Sequence, residues 1–199
     1  MPPLSPPIPD HVLWDRFRNG DRMAFEEIVS GHYKSLFRFG SRYTRDKALL
    51  EDCLHDLFVY LWEKRRTVNS TDSIRRYLLT AFRNKILLEL DRIRKRGWTD
   101  EEAVTGTAFE EDTSHFAHDD DASPKLELLI GRLPARQQEA IYLRYYEGMD
   151  VSQIAGIMDI STQSVSNHLH KALLTLRQYA RQFSLWISLA ALPLFSFLA

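Results

Sequence analysis

Apolar residues recur at steps of three and four along most of this chain, while strand-like alternation is weak throughout, so the pattern predicts helices. A short helix is expected over His11 to Arg18, stopped by Asn19-Gly20. The next spans about Arg22 to Tyr43, with Phe25, Ile28, Val29, Leu36 and Phe37 as its stripe. A third covers about Lys47 to Lys64, where Leu50, Leu54, Leu57 and Leu61 share one face. The polar stretch Val68 to Asp72 reads as a turn, and Ser73 as the N-cap of a fourth helix reaching about Arg94. From Gly97 to Ala122 the periodicity dissolves. Pro124 restarts it, with Leu126, Leu129, Ile130 and Leu133 as a short stripe. Pro134 is placed to open another helix in its first turn, and Gly148 to close it as a C′ residue. Two further helices follow. The expected fold is all-α: two small helical domains, residues 10–96 and 123–182, joined by a flexible linker at 97–122. A proline-rich lead occupies 1–9 and an apolar tail 183–199.

Charge sharpens this division. Over 199 residues the formal net charge is only −1, so no global basicity marks a nucleic-acid binder. Yet Arg83 to Arg96 holds six basic residues against two acidic ones, and Asp100 to Asp121 holds nine acidic residues and no Lys or Arg. That is a basic working face followed by an acidic connector. The single cysteine, Cys53, excludes a disulfide framework within the chain and fits a reducing compartment, so a cytoplasmic location is expected. The opening MPPLSPPIPD has neither a basic n-region nor an apolar h-region, and no secretory signal is expected.

The stretch DVSQIAGIMDISTQSVSNHLHKALLTLRQ, Asp150 to Gln178, holds the last two helices. Asp150 and Gln153 have capping-box spacing. Ile154, Ala155 and Met158 are expected to point inward, Asp159-Ile160 to form the joint, and Ser161 to cap the second helix. Val165, Leu169, Leu173 and Leu176 then form a buried seam, which leaves Gln163, Ser164, Asn167, His168 and Lys171 outside. Short polar side chains near a helix N-terminus suit base edges, and Lys171 suits a phosphate. From Ser161 to Arg181 there are three basic residues and no acidic one, so DNA is not repelled. This is the helix-turn-helix arrangement; an ordinary helical hairpin with a solvated polar face is the plainer alternative.

In the fourth predicted helix Tyr77, Ala81 and Asn84 share a face beside basic residues, a surface that can hold an unstacked base and its phosphates. Arg92, Arg94, Lys95 and Arg96 are candidate phosphate contacts, whereas Phe82 belongs in the core. The third helix presents Glu51, Asp52, His55 and Asp56 on an acidic outer face, with Phe58 and Trp62 in excess of one stripe. Acidic groups edged by aromatics suit a protein partner, although both rings can equally fill the core. No glycine-rich phosphate loop or nucleophile–base arrangement appears. His115 and His118 beside Asp119 to Asp121 read as solvated linker, and His168 and His170 do not share a helix face. No catalytic residue, metal site, cofactor or small-molecule substrate is therefore expected.

Taken in order, LLEDCLHDLFVYLWEKR, RRYLLTAFRNKILLELDRIRKR and RLPARQQEAIYLRYYEGMDVSQIAGIMDISTQSVSNHLHKALLTLRQ resemble the sigma-70 family of bacterial RNA polymerase sigma factors. The closest likeness is to its small extracytoplasmic-function (ECF) group. The resemblance spans about Asp21 to Tyr179 and implies a region 2 four-helix domain and a region 4 helix-turn-helix domain. It implies that Asp52, His55, Asp56, Phe58 and Trp62 dock on the clamp helices of core RNA polymerase. The turn Thr67 to Ser73, with Tyr77, Arg83 and Asn84, would capture a flipped −10 base of promoter DNA and help open the duplex. Gln163, Ser164, Asn167, His168 and Lys171 would read the duplex −35 element. An anti-sigma protein would be a further partner. His55 and Asp56 stand where Gln and Glu are usual, and Leu88 stands where an aspartate is usual. The competing reading is a stand-alone helix-turn-helix regulator with a helical partner-binding domain.

Phe183 to Ala199 carries no charge. Seventeen helical residues reach about 25 Å, short of a ~30 Å hydrocarbon core, and Pro193 is expected to interrupt the helix. Packing on the chain itself or on a partner is favoured over membrane contact. The 26 linker residues, at roughly 3.3 Å each, can separate two DNA-reading modules, and a polyanion can lie in a positively charged RNA channel. Replacing its nine acidic residues by Ser or Asn is expected to weaken assembly with polymerase or early transcription. Unchanged assembly and initiation would dismiss the channel idea.

Overall fold

The computed structural model describes the backbone of residues 8–97 and 124–195, and their side chains except at 97, 124, 125, 127 and 180–195. The acidic linker, most of the proline-rich lead and the side chains of the apolar tail lie outside the described residues, as do His115 and His118. Among the described residues the order is α1 (Asp10–Arg18), α2 (Arg22–Gly40), α3 (Lys47–Glu63), α4 (Ile74–Gly97), α5 (Pro124–Gly131), α6 (Ala135–Tyr145), α7 (Val151–Met158) and α8 (Thr162–Phe195), with no strand. The chain divides into two compact units, the first holding α1–α4 and the second α5, α6, α8 and the start of α7.

In the first unit α2, α3 and α4 start on side-chain caps, whereas α1 starts at Pro9 without one. Asp21 accepts from the N–H groups of Met23 and Ala24 at 2.9 and 3.2 Å, and Asp46 accepts from Leu49 at 3.0 Å. Gly20, at φ +92°, turns the chain from α1 into α2. The predicted stripe of α3 is buried throughout: Leu50, Leu54, Leu57 and Leu61 are all within the core, joined by Cys53. An aromatic series links all four helices. Trp14 lies 5.0 Å from Phe17 and 4.9 Å from Tyr77. Phe17 stacks on Phe25 at 5.7 Å, and Phe25 meets Trp62 at 5.1 Å and Phe58 edge-on at 6.4 Å. These rings supply large apolar area with defined geometry.

In the second unit α6 packs on α8 around Ile130, Leu133, Ile141 and Ala172, with Tyr146, Leu169 and Leu176 against them. Gln138 Nε2 donates to the carbonyls of Gly131 and Leu133 at 3.0 and 2.7 Å, satisfying acceptors left open where α5 ends. The buried Tyr142 hydroxyl donates to Glu147 Oε1 at 2.9 Å.

Several boundaries shift from the pattern. Helix α2 ends at Gly40, where Ser41 N–H and Oγ both bond the Phe37 carbonyl. Pro134 is the N-cap of α6 rather than its first helical residue, and its carbonyl accepts from Gln137 and Gln138. Gly148, at φ +67°, lies two residues past the α6 cap at Tyr146, one position beyond the expected C′. Helix α8 continues through Pro193 to Phe195, so the expected interruption is absent.

Gly40 is a packing glycine. A Cβ there would meet Leu50 Cδ2 at 2.8 Å, Phe82 Cε1 at 2.9 Å and Ile86 Cδ1 at 3.2 Å, all buried side chains. Gly31, also within α2, has nothing within 4 Å of that position. Gly40→Ala is expected to lower unfolding stability by about 1–3 kcal/mol through overpacking. Gly31→Ala should raise it by about 0.5–1 kcal/mol through helix propensity. Denaturant unfolding of both variants checks the contrast, and equal effects would contradict the close approach at Gly40.

Candidate nucleic-acid interface

The α7–α8 joint is fixed by local chemistry. Asp150 N–H bonds Gln153 Oε1 at 3.0 Å while Gln153 N–H bonds Asp150 Oδ1 at 2.8 Å, a reciprocal capping box at the start of α7. Asp159 adopts φ 54°, a left-handed turn that Asp tolerates better than branched residues, and Ile160 N–H returns to the Ala155 carbonyl. Ser161 Oγ accepts from Ser164 N–H at 3.2 Å and caps α8.

On α8, Gln163, Asn167 and Lys171 are exposed at four-residue steps, and Gln163 Nε2 donates to Asn167 Oδ1 at 3.3 Å. Ser164 and His168 are half-buried, and the Ser164 hydroxyl pairs with that of Ser161 at 2.9 Å. Ser164 thus belongs partly to the cap. The expected seam needs one correction. Val165 and Ala172 are fully buried, Leu169 and Leu176 pack against the cluster that holds Ala172, and Leu173 is 36% exposed. At 100° per residue Leu173 lies about 80° from Val165, whereas Ala172 lies within about 20° of it.

The α4 surface is mixed. Asn84, Arg92, Arg94, Lys95 and Arg96 are exposed. Two of the cations are held by their own helix: Arg92 Nη1 lies 2.7 Å from Glu89 Oε1 and Lys95 Nζ 2.7 Å from Asp91 Oδ2. The Lys95 ammonium holds the Asp91 carboxyl below its ordinary value, chiefly through their hydrogen bond. Exposed pairs of this kind are worth little, so a phosphate can compete for either cation. Arg83 departs from expectation. It is 3% exposed, because it sits between Leu79, Phe82 and Ile86 on the buried face of α4. Tyr77 is half-buried against Trp14, and burial, then Tyr60, pushes its phenol up.

On α3, Asp52, His55 and Asp56 are exposed as expected. For Phe58 the core reading holds and the exposed docking position does not: it is 7% exposed and faces Phe25. Trp62 is half-buried, with the Arg65 guanidinium 4.4 Å above its ring. The apolar residues that do reach the surface are Val59, 41% exposed, and Tyr60, 56% exposed, on the face shared with Asp52, Asp56 and Glu63. Pattern reading missed them, although positions 52, 56, 59, 60 and 63 complement the leucine stripe at helical spacing.

Asp56 also has an intramolecular partner. Lys85 Nζ on α4 lies 2.7 Å from its Oδ2, and Glu89 lies 3.5 Å from the same ammonium. The Lys85 hydrogen bond holds the Asp56 carboxyl below its ordinary value, and the same bond raises Lys85.

Comparison with known proteins gives a match in each unit. Residues 28–99 match the model of Sigma-70 region 2, and residues 124–176 match that of Sigma-70, region 4. The chain belongs to the sigma-70 family. It is 28% identical over 156 residues to the ECF RNA polymerase sigma factor SigL of Mycobacterium tuberculosis, covering 75% of this chain and 85% of SigL. It is 27% identical over 180 residues to the RNA polymerase sigma factor CarQ of Myxococcus xanthus, covering 87% of this chain and 99% of CarQ. The fold is similar to that of the sigma factor RpoE of Bartonella quintana, solved with the anti-sigma factor NepR. That match has a TM-score of 0.63 and 20% identity, over 79% of this chain and 96% of RpoE. It is also similar to CnrH, solved with the cytosolic domain of CnrY, with a TM-score of 0.59 and 19% identity, over 88% of this chain and 99% of CnrH. The helix-turn-helix lies in the region 4 match and the α3–α4 surface in the region 2 match, while α1 precedes both.

The Asp56–Lys85 pair gives a testable pH dependence for this sigma-70 protein. A lowered carboxyl contributes stability that is full above its ordinary range and is lost as pH falls through the folded value. The raised Lys85 loses its contribution only on the alkaline side. Because Asp56 is 58% exposed, Asp56→Asn is expected to cost under about 1 kcal/mol at neutral pH. The gap to the parent should close below about pH 4. Thermal unfolding of both proteins across pH measures it, and a gap that widens in acid would contradict the assignment.

Proposed function

We propose that this chain is an ECF-type initiation factor. It binds core RNA polymerase, recognises the −35 and −10 elements of promoter DNA and assists opening of the duplex. The observation that carries this reading is the ordered pair of region 2 and region 4 matches, with an exposed polar face at the N-terminal end of α8 in the second. Gln163, Asn167 and Lys171, flanked by Ser164 and His168, contact the −35 duplex. The first two read base edges, and Lys171 meets a phosphate. Asn84 and the polar turn at 67–73 receive the melted −10 strand, and Arg92, Arg94, Lys95 and Arg96 hold its backbone. Buried Arg83 supports that helix from inside, and Tyr77 backs the turn. The acidic face of α3, centred on Val59 and Tyr60 and edged by Asp52, His55 and Asp56, docks on polymerase. Half-buried Trp62 borders it, and buried Phe58 shapes it from below.

Relatives solved with anti-sigma partners support an anti-sigma protein as a further partner. The chain itself is not an enzyme; phosphodiester chemistry belongs to the polymerase. Among the described residues no helix is long and apolar enough to cross a membrane. Partnership with polymerase and DNA puts the work in the cytoplasm.

The test mixes the purified chain with core polymerase and a promoter library. Tight, specific binding is expected only with core present; failure to bind core, with tight binding of the chain alone to a palindrome, would favour the stand-alone regulator. Within the complex, Asn167→Ala should cost about 1–3 kcal/mol of discrimination at one −35 base pair. Arg94→Ala should weaken all promoters alike and lessen the salt dependence of binding.

A further inference from the structure

Helix α1 lies outside both matched regions, yet it holds the turn between α3 and α4 at two points. Asp10 Oδ2 accepts from Ile74 N–H at 2.9 Å across 64 positions of sequence. That N–H is one of the donors a helix leaves open at its start, so Asp10 caps α4 from another helix. Trp14 Nε1 donates to the Asn69 carbonyl at 2.9 Å across 55 positions. Trp14 is wholly buried and wedged between Phe17 and Tyr77, so this donor has a fixed place.

The turn is braced locally as well. Val68 is buried and its N–H returns to the Lys64 carbonyl, while the Thr71 hydroxyl donates to the Ser73 carbonyl and accepts from Ser73 N–H. Ser73 Oγ accepts from Arg76 N–H at 3.3 Å. Between the two long-range tethers, the side chains of Asn69, Ser70 and Asp72 remain exposed. The backbone is held at both ends and the polar tips are free, which is the arrangement of a preorganised recognition loop.

We propose that Asp10 and Trp14 are positioning residues for the −10 strand: they fasten the 68–73 turn in its base-accepting shape before DNA arrives. This rests on the assignment of that turn to the −10 element. A turn released from α1 must be ordered on binding, and it then accepts wrong bases more readily.

Trp14→Phe removes the indole donor and keeps an aromatic ring in the core. Asp10→Ala removes the remote cap, whereas Asp10→Asn retains an acceptor oxygen. Each variant, bound to core polymerase, is titrated with a single-stranded −10 oligonucleotide and with copies altered at one base. Core affinity and Tm are measured alongside. Trp14→Phe and Asp10→Ala are expected to lose roughly three- to tenfold in affinity and discrimination for the −10 strand, the scale of one hydrogen bond. Core affinity should stay within about twofold, and Asp10→Asn should restore most of the loss. The proposal is overturned if −10 binding is unchanged in both variants while Asn69→Ala and Asn84→Ala reduce it. It is equally overturned if Tm, core affinity and −10 affinity all fall together, which marks a role in folding alone. If Asn69→Ala and Asn84→Ala also leave −10 binding intact, the −10 assignment itself is wrong and the proposal falls with it.

Discussion

What this fold offers to DNA depends on how the starts of α4, α7 and α8 are capped. The N–H groups of a first turn have no partner inside the helix, and an uncapped start frays. In this chain the caps come from Asp21, Asp46, the Asp150–Gln153 pair and Ser161 locally, and from Asp10 at a distance. Short side chains such as Asn167 and Gln163 can specify a base only if the backbone beneath them is already in place, because they have little reach to correct it. Capping therefore turns marginal local helices into fixed platforms.

The two units solve the presentation problem differently. The first is held by large rings, with Trp14, Phe17, Phe25, Phe58 and Trp62 linking α1, α2 and α3, and Tyr77 bringing in α4. Phe58 and Arg83 are part of this buried interior. The second unit is lighter. Aliphatic residues meet on α8 through the small Ala172, and Gln138 closes the end of α5. A small residue at the contact lets α6 and α8 lie close and leaves the opposite face of α8 for polar side chains.

Much of this was legible from periodicity. The leucine stripe of α3, the capping box before α7, the Asp159–Ile160 joint and the Ser161 cap lie where the pattern puts them. What escaped had physical causes. Leu173 looked like a seam residue because it is apolar, yet helical geometry gives that place to Ala172. Arg83 looked like a surface cation, although its spacing from Leu79 and Ile86 already put it on the buried face. Phe58 lies off the centre of its stripe, and of its two open readings the core one holds: it is buried facing Phe25 of α2, a contact no local pattern encodes. The hydrogen bond from Ile74 N–H to Asp10 joins residues far apart in sequence and is beyond any local reading.

The central claim is a division of labour in which each unit grips its own stretch of promoter and polymerase holds both in register. Footprinting of the polymerase-bound chain on one cognate promoter tests it most directly, with a probe for duplex protection and one for unpaired bases used on the same complex. The account predicts two separate signals, a protected duplex at −35 and reactive unpaired bases at −10, and neither from the chain alone. A single continuous footprint, or a symmetric one formed without polymerase, would contradict it.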